Sequence, residues 1–194
     1  MKTKLIVIAR YNENIEWVNS LNCDYLVYNK GGHVDKDYIP LPNDGRETET
    51  FLRYIRDNYQ NLPDIVGFVQ GNPFDHCPDA IELINNFDTL EDVKILAKDI
   101  ITIDTDYYYD AYPFLKDFFI KQFLHIVADN NNSWGFGAGA NYILDSKYIK
   151  SKPHKWWKDL YNLHDYLLKK DQHHNYVVGH GFKRLWNLIW KKIC

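Results

Sequence analysis

The chain has 194 residues, 45% of them hydrophobic, with three cysteines and a formal net charge of −3; that size and apolar content suit one compact domain with a sizeable core. An odd number of cysteines without metal-ligand spacing argues against a disulfide framework, and the apolar run before Arg10 is too short for a signal peptide or a membrane span, so a cytoplasmic protein is expected. Charge is uneven: residues 147–194 carry 11 Lys and Arg against 3 Asp and Glu, while the preceding residues carry 12 against 23. Such a basic tail suits phosphates, peripheral contact with an anionic membrane, or the acidic face of its own domain, and nucleic acid is not among the expected partners.

Residues 4–9, KLIVIA, and 24–29, DYLVYN, are short apolar runs closed by polar residues or glycine, the pattern of parallel strands buried on both faces. Between them Ile15, Val18 and Leu21 fall near helical spacing, which predicts a short helix and a right-handed β-α-β crossover. A turn at 42–45 precedes a helix whose apolar face is Phe51, Leu52, Ile55 and Tyr59 and which ends before Leu62 and Pro63. Residues 64–70, DIVGFVQ, read as a third strand, followed by a helix over 79–87 capped by Asp79. Beyond it, a strand is expected within 92–103, a helix over 112–127, a Gly-rich loop running into a strand in NNNSWGFGAGANYILDS, and Trp-bearing amphipathic helices over 153–170 and 179–193. The expected fold class is α/β: a Rossmann-like open, mostly parallel sheet with flanking helices in a single domain, with ligands bound at the carboxyl ends of its strands.

Three polar clusters follow those strands: Arg10, Tyr11, Asn12 and Glu13; Asn29 and Lys30 before Gly31 and Gly32; and Gln70, Gly71 and Asn72, running on to Asp75 and His76. In one parallel sheet their tips converge on one crevice. Asn and Gln read hydrogen-bonding edges, Arg and Lys neutralise phosphates, and glycines admit close backbone approach, a set that suits a nucleotide or a sugar. Capping and turn chemistry account for each cluster taken singly. Asn43, Arg46 and Glu47 open a helix, where a phosphate meets free amides and a guanidinium. Asp104 and Asp106 have the spacing with which two carboxylates grip one divalent cation such as manganese or magnesium, although a solvated turn is the plainer reading. His173, His174 and His180 near Asp171 show no zinc-site spacing. Gly135, Gly137 and Gly139, beside Trp134, would let backbone lie against a flat sugar ring. The 15 Tyr and 6 Trp fit proteins that hold sugars and fit an aromatic core equally well.

The runs VIARYNENIEWV, VYNKG, LPNDGRETETFLRYI, NLPDIVGFVQGNPFDH, WGFGAGANYILDSKYI and RLWNLIW resemble a family known as domain of unknown function 3431, generally regarded as glycosyltransferase-like. The resemblance implies a nucleotide-sugar-dependent transferase of the GT-A type, taking a UDP- or GDP-linked donor and a glycan acceptor. Residues 1–106 would then be the donor half and 107–194 the acceptor half. It implies that Arg10, Tyr11, Asn12 and Glu13 hold the nucleobase and ribose, with Asn29, Lys30, Asn43, Arg46, Gln70, Gly71 and Asn72 also around the donor. Trp134, Gly137 and Gly139 would face the acceptor. Enzymes of this type usually place a metal-binding acidic pair where this chain has Gln70-Gly71-Asn72. A metal would therefore fall to Asp75 or to Asp104 and Asp106, and otherwise Arg46, Lys30 or a basic residue of the tail neutralises the diphosphate. Asp75, beside His76, is the expected catalytic base. Relatives often carry an acidic residue before RLW; Lys183 stands there in this chain, so no base is carried over from that position. Two other classes stay open: a catalytically silent carbohydrate-binding module using a Trp/Tyr surface, and a metal-dependent hydrolase using Asp75, His76 and the late histidines.

Overall fold

A computed structural model describes residues 2–32, 37–88, 93–129, 131–170 and 175–191. In chain order, β1 (Lys4–Arg10), a 3₁₀ turn over Glu16–Ser20, β2 (Asp24–Asn29) and the short β3 (Ile39–Pro40) precede α1 (Arg46–Asn58), β4 (Ile65–Gln70) and α2 (Ala80–Asn86). Then follow β5 (Val93–Ile95), β6 (Ile100–Asp104), α3 (Thr105–Ala111), α4 (Lys116–Gln122), α5 (Leu124–Ala128), β7 (Ser133–Gly137), β8 (Tyr142–Asp145), α6 (Lys147–Lys150), α7 (His154–Lys170) and α8 (Asn175–Trp190).

Six strands form a sheet in the order β3-β2-β1-β4-β8-β5, and β6 and β7 make a separate two-stranded sheet. β1 pairs in parallel with β2 and β4, and β2 with β3, whereas β8 runs antiparallel to both β4 and β5. The sheet is therefore mixed, although all its strands but β8 share one direction. Ile6, Ile8, Val27 and Val69 pack on one face with Ile15 and Val18 of the first crossover and Ala80 and Ile84 of α2. Val7, Val66 and Phe68 face the other way, into a larger core with Phe51, Leu52 and Ile55 of α1 and the apolar stripes of α7 and α8. The β1-to-β2 crossover and the α1 crossover thus lie on opposite faces, and the chain switches sides between β1 and β4. An open α/β sheet leaves a crevice for ligands at such a switch point.

Several expectations need correction. The first crossover is a 3₁₀ turn rather than an α-helix, because the run between the strands is too short to amortise helix nucleation. The stretch 92–103 holds not one strand but β5 and β6, which belong to different sheets. The expected helix over 112–127 is broken into short pieces beginning with a 3₁₀ turn at Pro113–Leu115. Part of the Gly-rich loop is itself strand β7. Asp79 makes no side-chain cap on α2; its carboxylate accepts from the Cys77 thiol at 3.4 Å instead. The last helix starts earlier than expected and ends at Trp190.

Most tryptophans are core. Trp157, Trp186 and Trp190 are fully buried, and Phe68, Trp190 and Trp186 form a continuous ring stack with centroid spacings of 5.4 and 4.7 Å. This stack fixes α8 against the centre of the sheet, and aromatic pairs of that kind contribute about 1 kcal/mol each beyond their buried area. The basic tail satisfies part of its charge at home: Lys155 pairs with Asp159 and Lys169 with Asp165 along α7. Buried Lys152 donates to the carbonyl of Lys191 at 2.7 Å, just beyond the end of α8, where a cation meets the negative end of the helix dipole. Among the described residues no helix is long and apolar enough to cross a membrane.

Candidate functional site

A cavity of about 370 Å³ opens at the carboxyl ends of β1 and β2, next to the switch point. Ala9 and Arg10 enter from the end of β1, Tyr11 and Glu13 from the loop beyond it, Lys30 from the end of β2, and Asn43, Arg46 and Glu47 from the turn and first residues of α1. Register places Arg10 opposite Asn29 and Ala9 opposite Gln70, so three of the expected strand tips do meet.

Within this convergence several residues expected to hold a ligand hold each other. Buried Arg10 donates from Nη1 to Asn29 Oδ1 at 2.6 Å and to the Tyr11 carbonyl at 3.2 Å, and from Nε to the Glu13 carbonyl at 3.0 Å. Asn29 also accepts from the Gly31 amide and donates to the Gly31 carbonyl. Glu13 Oε2 accepts from the Tyr11 amide at 2.6 Å. Gly31 passes so close to the Tyr11 carbonyl that any Cβ would strike backbone, and a Cβ on Gly71 would lie 2.5 Å from Glu13 Oε2. Glycine at 31 and 71 thus serves to clasp the loop at 11–13 between β2 and β4, rather than to admit a ligand.

Lys30 is likewise committed. Its ammonium donates to the carbonyls of Asp44 (2.6 Å) and Arg46 (2.7 Å) and lies 3.0 Å from Glu49 Oε2, with only 4% of the side chain exposed. Those contacts use all the protons of an ammonium group, so the expectation that Lys30 neutralises a diphosphate is corrected: it pins the start of α1. Burial lowers its pKa, with Glu49 opposing that shift. The turn so pinned is unusual, since Gly45 and Arg46 have φ of 62° and 53°. A positive φ at the non-glycine Arg46, at the lip of a cavity, stores strain that the Lys30 contacts help to hold.

The tip of β4 adjoins the cavity without lining it. Gln70 Nε2 donates to the Asn72 carbonyl, Asn72 Nδ2 donates to Asp75 Oδ2 at 3.1 Å, and Trp17 donates to the Gly71 carbonyl at 2.9 Å. Asp75 is exposed and its bonded partner is Asn72, not His76; the His76 ring lies instead against Gly139, which has φ of 78°. Asn141, which the sequence reading missed, anchors this tip. Its Oδ1 accepts from the Gln70 amide at 2.9 Å while its buried Nδ2 has no partner among the described residues. No local pattern announces Asn141, because its role arises only where β8 is laid beside β4.

Asp104 and Asp106 do not join these groups. Asp104 is the N-cap of α3, its Oδ1 accepting from the Tyr107 amide at 2.8 Å, and it lines a separate depression with Tyr107, Ser133 and Arg184. Among the described residues no three His, Cys, Asp or Glu side chains gather as a cation cage. Asp75 and the Asp104–Asp106 pair, the two alternatives expected for manganese or magnesium, both lie outside the lining of the cavity. Trp134 is also corrected: it is 4% exposed, its ring packs on Tyr108 and Phe119, and its Nε1 donates to the Arg184 carbonyl. Gly137 abuts Ile95 and Ala97. Neither can face an acceptor, and Gly139 is buried against Asn141 and the His76 ring. His173, His174 and Asp171 lie outside the described residues.

α8 packs against Arg46 at the edge of the cavity. A Cβ on Gly179 would lie 3.2 Å from the Arg46 side chain, and Lys183 follows one turn later on the same helix face. Burial lowers the Lys183 pKa against the opposing pull of Glu47. His180 is pushed down to about 4 by burial and then by Arg46, Lys183 and Arg184, so it is neutral near pH 7. Arg184 turns away, over the rings of Tyr112 and Phe136.

No curated protein and no solved structure matches the chain. The family description "Protein of unknown function (DUF3431)" matches residues 5–110, more than half of the chain, and this stretch contains β1, β2, β4, α1 and every residue lining the cavity. The chain belongs to that family.

Proposed function

We propose that the protein is a glycosyltransferase, of the GT-A type that its sequence resembles, moving a sugar from a UDP- or GDP-linked donor to a glycan acceptor. The observation that carries this reading is the cavity at the carboxyl ends of β1 and β2, beside the start of α1. It falls within the size range of small-molecule sites, and it is lined by groups that complement a nucleotide: an exposed aromatic ring at Tyr11, the Asn43 amide, and the Arg46 guanidinium at the start of α1.

In this reading the nucleoside lies between Tyr11 and Asn43 and the diphosphate lies toward Arg46. An acceptor hydroxyl oxygen forms a bond to the anomeric carbon as the bond from that carbon to the diphosphate oxygen breaks. The electron pair leaves with the nucleoside diphosphate, and the hydroxyl proton passes to the exposed carboxylate of Asp75, held by Asn72. Catalysis then rests on stabilising the leaving diphosphate. A carbohydrate-binding module using exposed tryptophans is less well supported, because most of the tryptophan surface is in the core.

The test is a panel of UDP- and GDP-sugars, with and without manganese, read by thermal shift and by donor hydrolysis. Stabilisation by at least one donor, together with slow release of free sugar, is expected. Stabilisation by free oligosaccharides alone, with no response to any nucleotide, would sink the assignment in favour of a glycan-binding module.

A further inference from the structure

The diphosphate expected in this cavity carries about two negative charges, and enzymes commonly meet such charge with a divalent cation. Here neither Asp75 nor the Asp104–Asp106 pair lines the cavity, while Arg46 does, and α8 packs against Arg46 one turn from Lys183. Arg46 lines the cavity from the first residue of α1. Lys183 lies one helical turn from Gly179, whose missing side chain lets α8 close onto the Arg46 methylenes. Lys183 makes no hydrogen bond and no ion pair among the described residues and is partly buried. Glu47 is coupled to both: its carboxylate is 3.6 Å from Arg46 Nε, only 16% of its side chain is exposed, and it is the main attractive charge on Lys183.

We infer that Arg46 and Lys183 form a metal-independent phosphate clamp, in which Glu47 is the internal counter-ion that a donor diphosphate displaces. This inference rests on the nucleotide-sugar reading and names how the same site meets its anion. The two cations match the charge of a diphosphate, whereas with Glu47 in place the cluster carries a net single positive charge, enough to attract an anion without leaving both cations uncompensated in the empty protein. Neutral His180 leaves room for the cations without adding to their repulsion. Lys30 is held by the carbonyls of Asp44 and Arg46 and by Glu49, and Arg10 spends Nε and Nη1 on Asn29 and the backbone of the 11–13 loop, so both are engaged in shaping the crevice.

The experiment is calorimetric titration of the full-length protein, in EDTA, with UDP, GDP, the nucleosides uridine and guanosine, and inorganic pyrophosphate, at low and high salt. The wild type is expected to bind at least one nucleoside diphosphate without metal, more weakly as salt rises. Lys183→Met should weaken that binding at least tenfold while leaving the matching nucleoside unchanged, Lys183→Arg should restore most of it, and Glu47→Gln should tighten it several-fold. Circular dichroism melts of each variant separate loss of binding from loss of fold. Nucleotide binding that appears only with manganese, or that Lys183→Met leaves intact, overturns the clamp and keeps the donor reading. Lys183-dependent binding of pyrophosphate without binding of any nucleotide keeps the clamp and overturns the donor reading. Binding of none of these probes overturns both.

Discussion

At the tips of β1 and β2 the cations are enclosed: Arg10 is bonded to Asn29 and to the carbonyls of Tyr11 and Glu13, and Lys30 to the carbonyls of Asp44 and Arg46 beside Glu49. At the seam of α1 and α8, Arg46 lines the cavity and Lys183 lies near it with Glu47 as their shared anion. Both regions use the same residue types around the same crevice. The first holds the crevice in shape, because most of its bonds end on backbone carbonyls that cannot leave and the rest on buried Asn29 and Glu49. The second can exchange its anion, because a carboxylate on a side chain can swing aside for a phosphate.

The contrast can be broken from the scaffold side first. Gly31→Ala puts a Cβ into the Tyr11 carbonyl, and a clash with backbone should cost about 4 kcal/mol of unfolding free energy in urea titration. Lys30→Met leaves Glu49 buried with Arg53 alone, 2.6 Å away, and strips two carbonyls of their donor. A loss of about 3 kcal/mol is expected, at the low end for a broken buried pair because Arg53 remains. If either change is nearly neutral for stability and instead removes ligand binding, the scaffold assignment is wrong.

Acid stability gives a third handle. His164 is fully buried against Phe182, both its ring nitrogens are without partners among the described residues, and burial followed by Lys30 pushes its pKa from 6.5 down to about 3. The unfolded chain therefore takes up a proton below about pH 6.5 that the folded protein refuses until about pH 3. Stability should fall as pH drops through that window, by about 1.4 kcal/mol per pH unit at most for this residue. His164→Leu should flatten the slope, and an unchanged slope would remove His164 from the account. The smallest effect has the opposite sign: Arg46→Gly should raise stability by about 1 kcal/mol by relieving the positive φ, while weakening nucleoside diphosphate binding at least tenfold. A destabilised variant that still binds would reverse both roles given to Arg46.

Much of the first half was legible because local pattern and tertiary outcome agree there. β2 and β4 lie where apolar runs end in polar residues, and α1 begins after the expected turn. What local pattern cannot supply is the partner of a polar group. Arg10, Asn29 and Lys30 were correctly placed at the crevice, yet their bonding partners lie across strands or in the turn before α1, so they read as ligand-binding residues. Asp104 and Asp106 have a metal-site spacing, and the Asp104 bond to the Tyr107 amide that makes it a cap exists only once α3 forms. Trp134 shows the same limit for burial, since its cover comes from α3, α4 and α8. Asp75 is exposed and keeps the part proposed for it, whereas Gly139 is closed in by Asn141 and His76.

The most direct measurement is a backbone amide spectrum of ¹⁵N-labelled protein titrated with UDP and with GDP in the absence of divalent cation. The account predicts shifts concentrated at Tyr11, Asn43, Arg46, Glu47 and Lys183, with Asp104, Asp106 and Tyr107 unmoved. Shifts centred on Asp104 to Tyr107, or appearing only when manganese is added, would contradict it.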